Sequence, residues 1–167
     1  MTITKNEQGV LFVEDATIIF KNFAGRPGPY NQAGDRNFAL KIDDPETAQQ
    51  MREDGWNVKI KPPREEGDAP FCYLPVSVVF PTPERNFPMK IVQFTKNGPI
   101  ELNEETAGNL DMARFANCKV AIRPYHWTTA TGSGVKAYLR TMHVVLEEAD
   151  FAADYDGFNA MSEEDPF

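Results

Sequence analysis

The chain has 167 residues, 41% of them apolar, which suffices for one domain with a buried core. It has no apolar run long enough to span a bilayer and no apolar signal segment at the N-terminus, so we expect a cytoplasmic protein without membrane contact. The net charge of −8 arises entirely from residues 147–167, which contain eight acids and neither Lys nor Arg, whereas residues 1–146 are neutral on balance. This asymmetry predicts two parts, a folded domain over residues 1–146 and an acidic C-terminal tail over residues 147–167.

The residue types that commonly form reactive sites are sparse and scattered. Cys72 and Cys118 lie far apart and outside any CxxC pair, which favours free buried thiols, with a disulfide as the alternative only in an oxidising compartment. His126 and His143 have no partner at metal-ligand spacing. The sequence also lacks a nucleophile-elbow or P-loop pattern, so we expect neither a cofactor nor an enzyme.

The first quarter of the chain predicts strands separated by turns. Residues 1–8 are polar and predict a frayed end. Apolar residues alternate over 10–23, where Glu14-Asp15 indicates a bulge or an edge, and again over 36–42. The connection over 24–35 is rich in Gly and Pro and predicts a loop.

A short helix is predicted next. Asp44 is a suitable N-cap, Pro45 suits the first helical position, and Glu46 faces the positive end of the helix dipole. The helix should end at Gly55. Asp43 and Asp44 could also be imagined as a metal-binding pair, but the cap accounts for them.

Further strands are predicted after the helix, over residues 56–61, 71–80 and 89–94. In the first, Trp56 faces the core while Lys59 and Lys61 point outward. Pro75 should confine the second strand to a sheet edge or a bulge. Asn103 can open one or two further helical turns.

The stretch from Met112 to Leu146 contains no acid, and its five cations alternate with four aromatic rings. Residues 131–134 read Thr-Gly-Ser-Gly, a turn signal that predicts a β-hairpin with arms 117–128 and 135–146. On the first arm, the parity of Cys118 predicts core and the parity of Lys119 predicts a ligand-facing surface. Past Thr141 the alternation blurs, as at a bulge.

Short strands, frequent turns and little helix predict a mostly β fold. We expect an OB-fold-like five-stranded barrel with additional strands and loops and one or two short helices. Cations that follow phosphates and rings that stack on any base are typical of a single-stranded nucleic acid site, although such cations are usually only a solvated face. Trp127 is evenly balanced between core and base stacking. The predicted DNA-binding residues are Lys21, Arg26, Tyr30, Arg36, Lys59, Lys61, Lys119, Arg123, Tyr125, Trp127, Lys136, Tyr138 and Arg140.

The acidic tail admits two interpretations. Its composition predicts disorder, and a solubilising terminus is the simpler one. The chain nevertheless ends in Asp165, Pro166 and Phe167, and an aromatic tip is not needed for solubility. An apolar pocket could take the ring and a basic residue the terminal carboxylate, so we predict a partner-binding site there.

An OB-type body with an acidic tail that ends Asp165-Pro166-Phe167 resembles single-stranded DNA-binding proteins. Cellular members end in acids followed by Pro-Phe, and phage replication members end in acids followed by Phe. The run over 19–25, with Tyr30-Asn31 and residues 34–38, is similar to a phage-encoded family of this kind. One departure is that the predicted helix lies between the second and third strands, whereas an OB barrel usually places it after the third.

The resemblance implies coating of exposed single-stranded DNA during replication and recombination, in the cytoplasm of a bacterial host. It also implies recruitment of replication proteins, such as a polymerase, a helicase or primase, or recombination enzymes, through the tip of the tail. It leaves the oligomeric state open, with a homodimer among the possibilities. The alternative function is a protein-interaction or virion-associated adaptor whose tail binds a partner and whose body binds no nucleic acid.

Overall fold

A computed structural model describes residues 1–147, so the residues after Glu147, including Asp165, Pro166 and Phe167, lie outside the described part. Within it the helical elements are α1 (Pro45–Glu53) and a 3-10 turn at Ala107–Leu110. The strands are β1 (Thr2–Lys5), β2 (Leu11–Glu14), β3 (Thr17–Asn22), β4 (Arg36–Ile42), β5 (Lys59–Lys61), β6 (Phe71–Val78), β7 (Lys90–Thr95), β8 (Gly98–Leu102), β9 (Phe115–Thr129) and β10 (Gly132–Leu146).

The strands form one curled sheet with the order β1-β2-β9-β10-β6-β4-β3. Neighbours along this path are antiparallel except for β10 and β6, which are parallel. The predicted single strand over 10–23 is divided into β2 and β3 by a bend at Asp15, whose φ is 52°. Because β2 pairs with β9 and β3 with β4, this bent segment provides the strand next to β1 at one end of the sheet and the last strand at the other, and β2 and β3 do not pair to close the sheet.

The predicted core parities are confirmed on the inner face. Cys118, Val120 and Ile122 are buried together with Leu40 and Leu74. Trp56 is also buried, as predicted. Cys72 and Cys118 are free thiols, and burial raises the pKa of both.

The N-cap of α1 is confirmed. The Asp44 carboxylate accepts hydrogen bonds from the Glu46 backbone N–H at 3.2 Å and the Thr47 hydroxyl at 2.7 Å. These bonds lower the pKa of Asp44, because the Thr47 hydroxyl and the Glu46 N–H favour its charged form. Ala48 and Met51 bury the inner side of the helix.

Pro75 was predicted to confine its strand to a sheet edge or a bulge, and both alternatives are wrong, because the ladder with β4 runs through Pro75 without a register shift. β6 pairs with β4 from Cys72 to Val78, and its other side pairs with β5 at residues 71–73 and with β10 at Ser77. Pro75 lies between these two partners, where β6 has no ladder neighbour on that side. The missing N–H therefore leaves no sheet hydrogen bond unmade.

The hairpin of β9 and β10 is confirmed, with arms slightly longer than predicted. A register shift between Leu139 and Thr141 makes Arg140 the extra residue of a β-bulge. Beyond it the outward parity becomes buried, at Thr141, His143 and Val145. The ring of Phe94 on β7 packs edge-on against His143 with 5.2 Å between ring centroids.

Because β7 covers this part of the hairpin, one prediction for the ligand-facing surface is wrong. Ala121 shares the parity of Lys119 but is fully buried. The open outward face of the hairpin is therefore its half nearer the turn, from Arg123 to Thr129 and from Gly132 to Tyr138.

The fold is mostly β and OB-like, with a five-stranded body made by the bent β2–β3 segment, β4, β6, β9 and β10. β1, β5, β7 and β8 are additions to this body. The helix α1 lies between the second and third body strands, as the sequence indicated. Among the described residues, no helix is long and apolar enough to cross a membrane.

Candidate nucleic-acid interface

The centre of the open outward face is Tyr138 on β10. It pairs with Ser77 of β6 on one side and with Arg123 of β9 on the other. Val135, Ala137 and Leu139 are buried, so strand alternation directs Lys136 and Tyr138 to the opposite, outward face. The predicted parity of this arm is confirmed.

Cations and rings interlock around Tyr138. The Arg123 guanidinium lies 4.9 Å and the Lys136 ammonium 5.0 Å from the Tyr138 ring centroid. Arg123 also lies 4.3 Å from the Phe87 ring, and Tyr125 meets Tyr138 edge-on at 6.1 Å. Each exposed cation–π contact contributes about 0.5–1 kcal/mol. The contacts fix the side chains without neutralising them.

The described part of the chain provides no ion-pair partner for these cations. In residues 1–147, neither Arg123 nor Lys136 forms an ion pair, whereas Arg26 and Lys41 do. Their charges therefore remain available to an anionic ligand.

Two adjoining hollows form a groove around Tyr138. One has a volume of about 550 Å³, and its lining includes the cations Arg36, Arg85 and Lys136 and the acids Asp35 and Glu104. The other has a volume of about 240 Å³ and is lined by residues that include Phe87, Arg123 and Tyr125. Arg85 and Tyr138 line both hollows, and we call this continuous depression the Tyr138 groove.

Trp127 lies at the end of the groove nearest the hairpin turn. A hollow of about 390 Å³ joins it to Lys136 and Ser77, both of which also line the larger hollow. The indole packs directly over Gly134, the residue opposite it on β10. Trp127 remains 39% exposed, so it is a surface ring supported by the backbone rather than a core residue.

One wall of the groove is built from β4 and the loop before it. Arg36 stacks on the Phe80 ring at 5.3 Å, and its guanidinium donates to the Phe23 carbonyl. The Asn37 amide donates to Asn31 Oδ1 at 2.8 Å. The Asn31 amide in turn donates to the carbonyls of Arg26 and Asp35, which fixes the loop over 24–35.

Three of the predicted residues lie on or near this loop but do not line the groove. Lys21 donates to the Ala113 carbonyl and lies 4.4 Å from the Phe115 ring, in a separate hollow. Burial there lowers the pKa of Lys21, against the opposing charge of Asp111. Arg26 is 3.5 Å from the Asp111 carboxylate, and Tyr30 is fully exposed.

The remaining predicted cations are also outside the groove. Lys59 and Lys61 lie exposed on β5, opposite Tyr73 and Phe71. Lys119 pairs across the covered part of the hairpin, and Arg140 occupies the bulge. The structure thus brings together six of the predicted residues: Arg36, Arg123, Tyr125, Trp127, Lys136 and Tyr138.

Sequence reasoning missed the loop over 79–89, which supplies Phe80, Arg85 and Phe87. Phe80 was assigned to the predicted strand over 71–80, and no role was predicted for the Pro-rich residues after it. The sequence contained a usable signal, because Phe87 is a large aromatic residue in a segment without apolar alternation. In the structure its side chain is 58% exposed. Among residues 1–147, no group of three or more His, Cys, Asp or Glu could hold a metal ion.

Comparison with known families now identifies the class. The model of a family described as the putative phage ssDNA-binding domain matches residues 1–165. The chain therefore belongs to this family. A comparison with curated protein sequences finds no match.

Solved structures share the fold. The single-stranded DNA-binding protein from bacteriophage Enc34 in complex with ssDNA matches with a TM-score of 0.54 and 10% identity, covering 85% of this chain and 89% of that one. A structure described simply as the Enc34 protein matches at 0.50 and 10% identity, covering 89% and 92%. The single-stranded DNA-binding protein gp2.5 of bacteriophage T7 matches at 0.39 and 14% identity, covering 87% and 93%, which is too weak to support an argument.

Proposed function

We propose that the protein binds single-stranded DNA in the Tyr138 groove without strong sequence preference. The observation that carries this proposal is the half-buried ring of Tyr138 in contact with Arg123 and Lys136, with no acid paired to either cation in the described chain. Membership of a phage ssDNA-binding family supports it. The Enc34 protein, which shares the fold, is described in complex with ssDNA.

The chemistry of the groove divides between two kinds of contact. Arg36, Arg85, Arg123 and Lys136 neutralise backbone phosphates, and the salt dependence of log K should have a slope of about −0.7 per phosphate contacted. Tyr125 and Trp127 offer rings to bases, with Phe87 as a further candidate. Each stacked base contributes roughly 1–3 kcal/mol, and any base can stack, which explains weak sequence preference.

Seven of the predicted residues lie outside the groove, and we propose a different role for them. Lys21, Arg26, Tyr30, Lys59, Lys61, Lys119 and Arg140 do not line the groove. The cations among them other than Arg26, which is paired with Asp111, raise the local positive potential and attract the strand over a distance set by salt screening.

The biological role that fits this activity is protection of exposed DNA during replication and recombination in the cytoplasm of a bacterial host. No catalytic step is part of it. For the tail over 147–167, we propose that Asp165, Pro166 and Phe167 recruit replication proteins, as the terminal ring and carboxylate suit a basic-rimmed apolar pocket. The tail acids also occupy the groove when no DNA strand is bound, so that they compete with an incoming strand.

The first test is a fluorescence titration of the full chain with a poly-dT oligonucleotide at several salt concentrations. Quenching of Trp emission with a log–log salt slope of several units is expected. Tyr125→Ala with Trp127→Ala should weaken binding while the fold survives, because both rings are exposed. Ile100→Ala, which removes a half-exposed side chain on β8, is the matched control.

Two results would overturn the proposal. Absence of dT binding even at low salt would favour the adaptor, and a search for the partner of Phe167 would follow. Unfolding of the Tyr125→Ala, Trp127→Ala variant would show that these rings support the core. Sedimentation with and without oligonucleotide establishes whether the DNA-binding unit is one chain or a homodimer.

A further inference from the structure

A second aromatic cluster lies on the outward face of the sheet, at the other end of β6 from Ser77. The Phe20 ring meets Tyr73 edge-on at 5.2 Å and Phe71 at 6.2 Å, and Phe71 lies 5.5 Å from Tyr73. Phe20 is 61% exposed and Phe71 is 37% exposed. Three neighbouring rings thus present edges and faces to solvent.

The backbone holds Phe20 in this position. Its φ is 51°, in the left-handed region, and the β3–β4 ladder shifts register between Ile19 and Asn22. An aromatic residue at positive φ is uncommon because its Cβ crowds the carbonyl. A strained backbone that exposes a large ring does not improve core packing. Residues with such unusual backbone angles concentrate at functional sites.

Lysines flank these rings from the adjacent strands. On β5, Lys59 pairs with Tyr73 and Lys61 with Phe71, and both lysines are exposed. Neither forms an ion pair within the described residues, whereas Lys41, opposite Tyr73 on β4, lies 3.6 Å from Asp43. Rings interleaved with uncompensated cations favour a nucleic acid strand over an apolar protein partner.

The cluster and the Tyr138 groove lie along the same outward side of β6. Tyr73, Pro75 and Ser77 alternate on the outward side of β6, and both Pro75 and Ser77 line the hollow beside Trp127. Tyr73 and Ser77 are four residue steps apart along the strand, a distance of about 13 Å. The loop over 62–70 adds three acids beyond Lys61, so this end should attract DNA less strongly than the groove.

We propose that Phe20, Phe71 and Tyr73, together with Lys59 and Lys61, form an auxiliary base-stacking platform for the same DNA strand. The proposal rests on the Tyr138 groove binding single-stranded DNA and extends that site along β6. A short oligonucleotide fills the groove alone. A longer one reaches the platform and gains contacts there.

The test compares dT oligonucleotides of about 5 and about 16 nucleotides, which bracket common site sizes for OB folds. For Phe20→Ala with Phe71→Ala, affinity for the short oligonucleotide should be unchanged and affinity for the long one should fall roughly tenfold. Ile100→Ala should change neither. Lys59→Gln with Lys61→Gln should reduce the salt slope for the long oligonucleotide by about 0.7 per lost phosphate contact, whereas Lys96→Gln at the exposed β7–β8 turn should not.

The outcomes separate the two proposals. If neither oligonucleotide binds the unaltered protein, groove and platform both fail. If both bind normally to the Phe20→Ala, Phe71→Ala variant, the platform alone fails, and lost self-association in sedimentation would identify a protein interface instead. An equal loss for both lengths also overturns the platform.

Photocrosslinking tests the platform in the unaltered protein, so the result does not depend on whether the variants fold. The unaltered protein is irradiated with a long dT oligonucleotide that carries bromouracil. A crosslinked peptide containing Phe20 or Phe71 supports the platform. Crosslinks confined to peptides of the Tyr138 groove, such as those with Phe87 or Trp127, contradict it.

Discussion

Trp127 keeps one face of its indole open because the residue opposite it is Gly134. A Cβ added at Gly134 would lie 2.8 Å from Cζ2 of the indole, closer than real contacts allow, so the ring must move. Gly134→Ala should therefore shift the Trp emission and weaken dT binding roughly fivefold, near the lower limit for one base stack. Fluorescence titration measures both effects.

Gly132 provides the matched control for this prediction. It lies on the same strand, and a Cβ there meets nothing within 4 Å. Gly132→Ala should leave emission and affinity unchanged. If Gly134→Ala behaves like Gly132→Ala, the indole does not take part in binding.

Arg123 combines charge with a planar stacking surface, and substitution can separate the two. Its guanidinium faces the Phe87 and Tyr138 rings at 4.3 Å and 4.9 Å. Arg123→Lys keeps the charge and loses the planar group, so dT affinity should fall roughly three- to tenfold with an unchanged salt slope. Arg123→Gln should also reduce the slope by about 0.7. Equal affinity of Arg123→Lys and the unaltered protein would mean that only its charge matters.

At the scale of elements, Asp111 anchors the loop that forms one wall of the groove. Its carboxylate accepts from the Phe23 and Ala24 backbone N–H groups at 2.7 Å and 3.2 Å. It also pairs with Arg26, and its side chain is only 3% exposed. Asp111→Ala leaves these donors without an acceptor, so the free energy of unfolding should fall by about 1–3 kcal/mol in urea denaturation.

Asp68→Ala is the charge-matched control for Asp111→Ala, because both variants lose one negative charge. Asp68 lies exposed in the loop over 62–70 and forms no ion pair within the described chain. Its removal should leave stability unchanged. Equal stability of the two variants would contradict an anchoring role for Asp111.

Local signals predicted some elements well. The strand over 36–42, the cap at Asp44 and the turn between β9 and β10 each follow from a few residues, and all three are confirmed, although Ala39, predicted to face outward, is buried. Context decided the others. Pro75 is compatible with a central strand because the pairing partner of β6 changes there from β5 to β10. The sequence around Pro75 gives no signal of where these two strands end.

At the scale of the whole molecule, the sequence predicted half of the groove. The hairpin supplies Arg123, Tyr125, Trp127, Lys136 and Tyr138, whose parity is a local property. The opposite wall comes from the loop over 79–89, which is distant in sequence and lacks periodicity. β7 covers the outward face near His143, and this cover is likewise a tertiary feature. Ala121 was therefore assigned to the ligand-facing surface although it is buried.

The charge distribution of the whole chain leads to the last prediction. Residues 1–146 are neutral overall, so an acidic tail tethered to them is the largest uncompensated charge in the molecule. Deletion of residues 148–167 removes seven acids and leaves the described body intact. Affinity for dT should rise, by roughly tenfold at low salt and with little change at high salt, because screening weakens competition by the tail.

Phe167→Ala is the control that separates the two proposed roles of the tail. It retains every acid, so dT affinity should match the unaltered protein while binding to a replication partner is lost. Titrations of the three proteins at matched salt concentrations make the comparison. Unchanged affinity after deletion would mean that the tail does not compete for the groove. A gain with Phe167→Ala alone would mean that the ring, rather than the acids, occupies it.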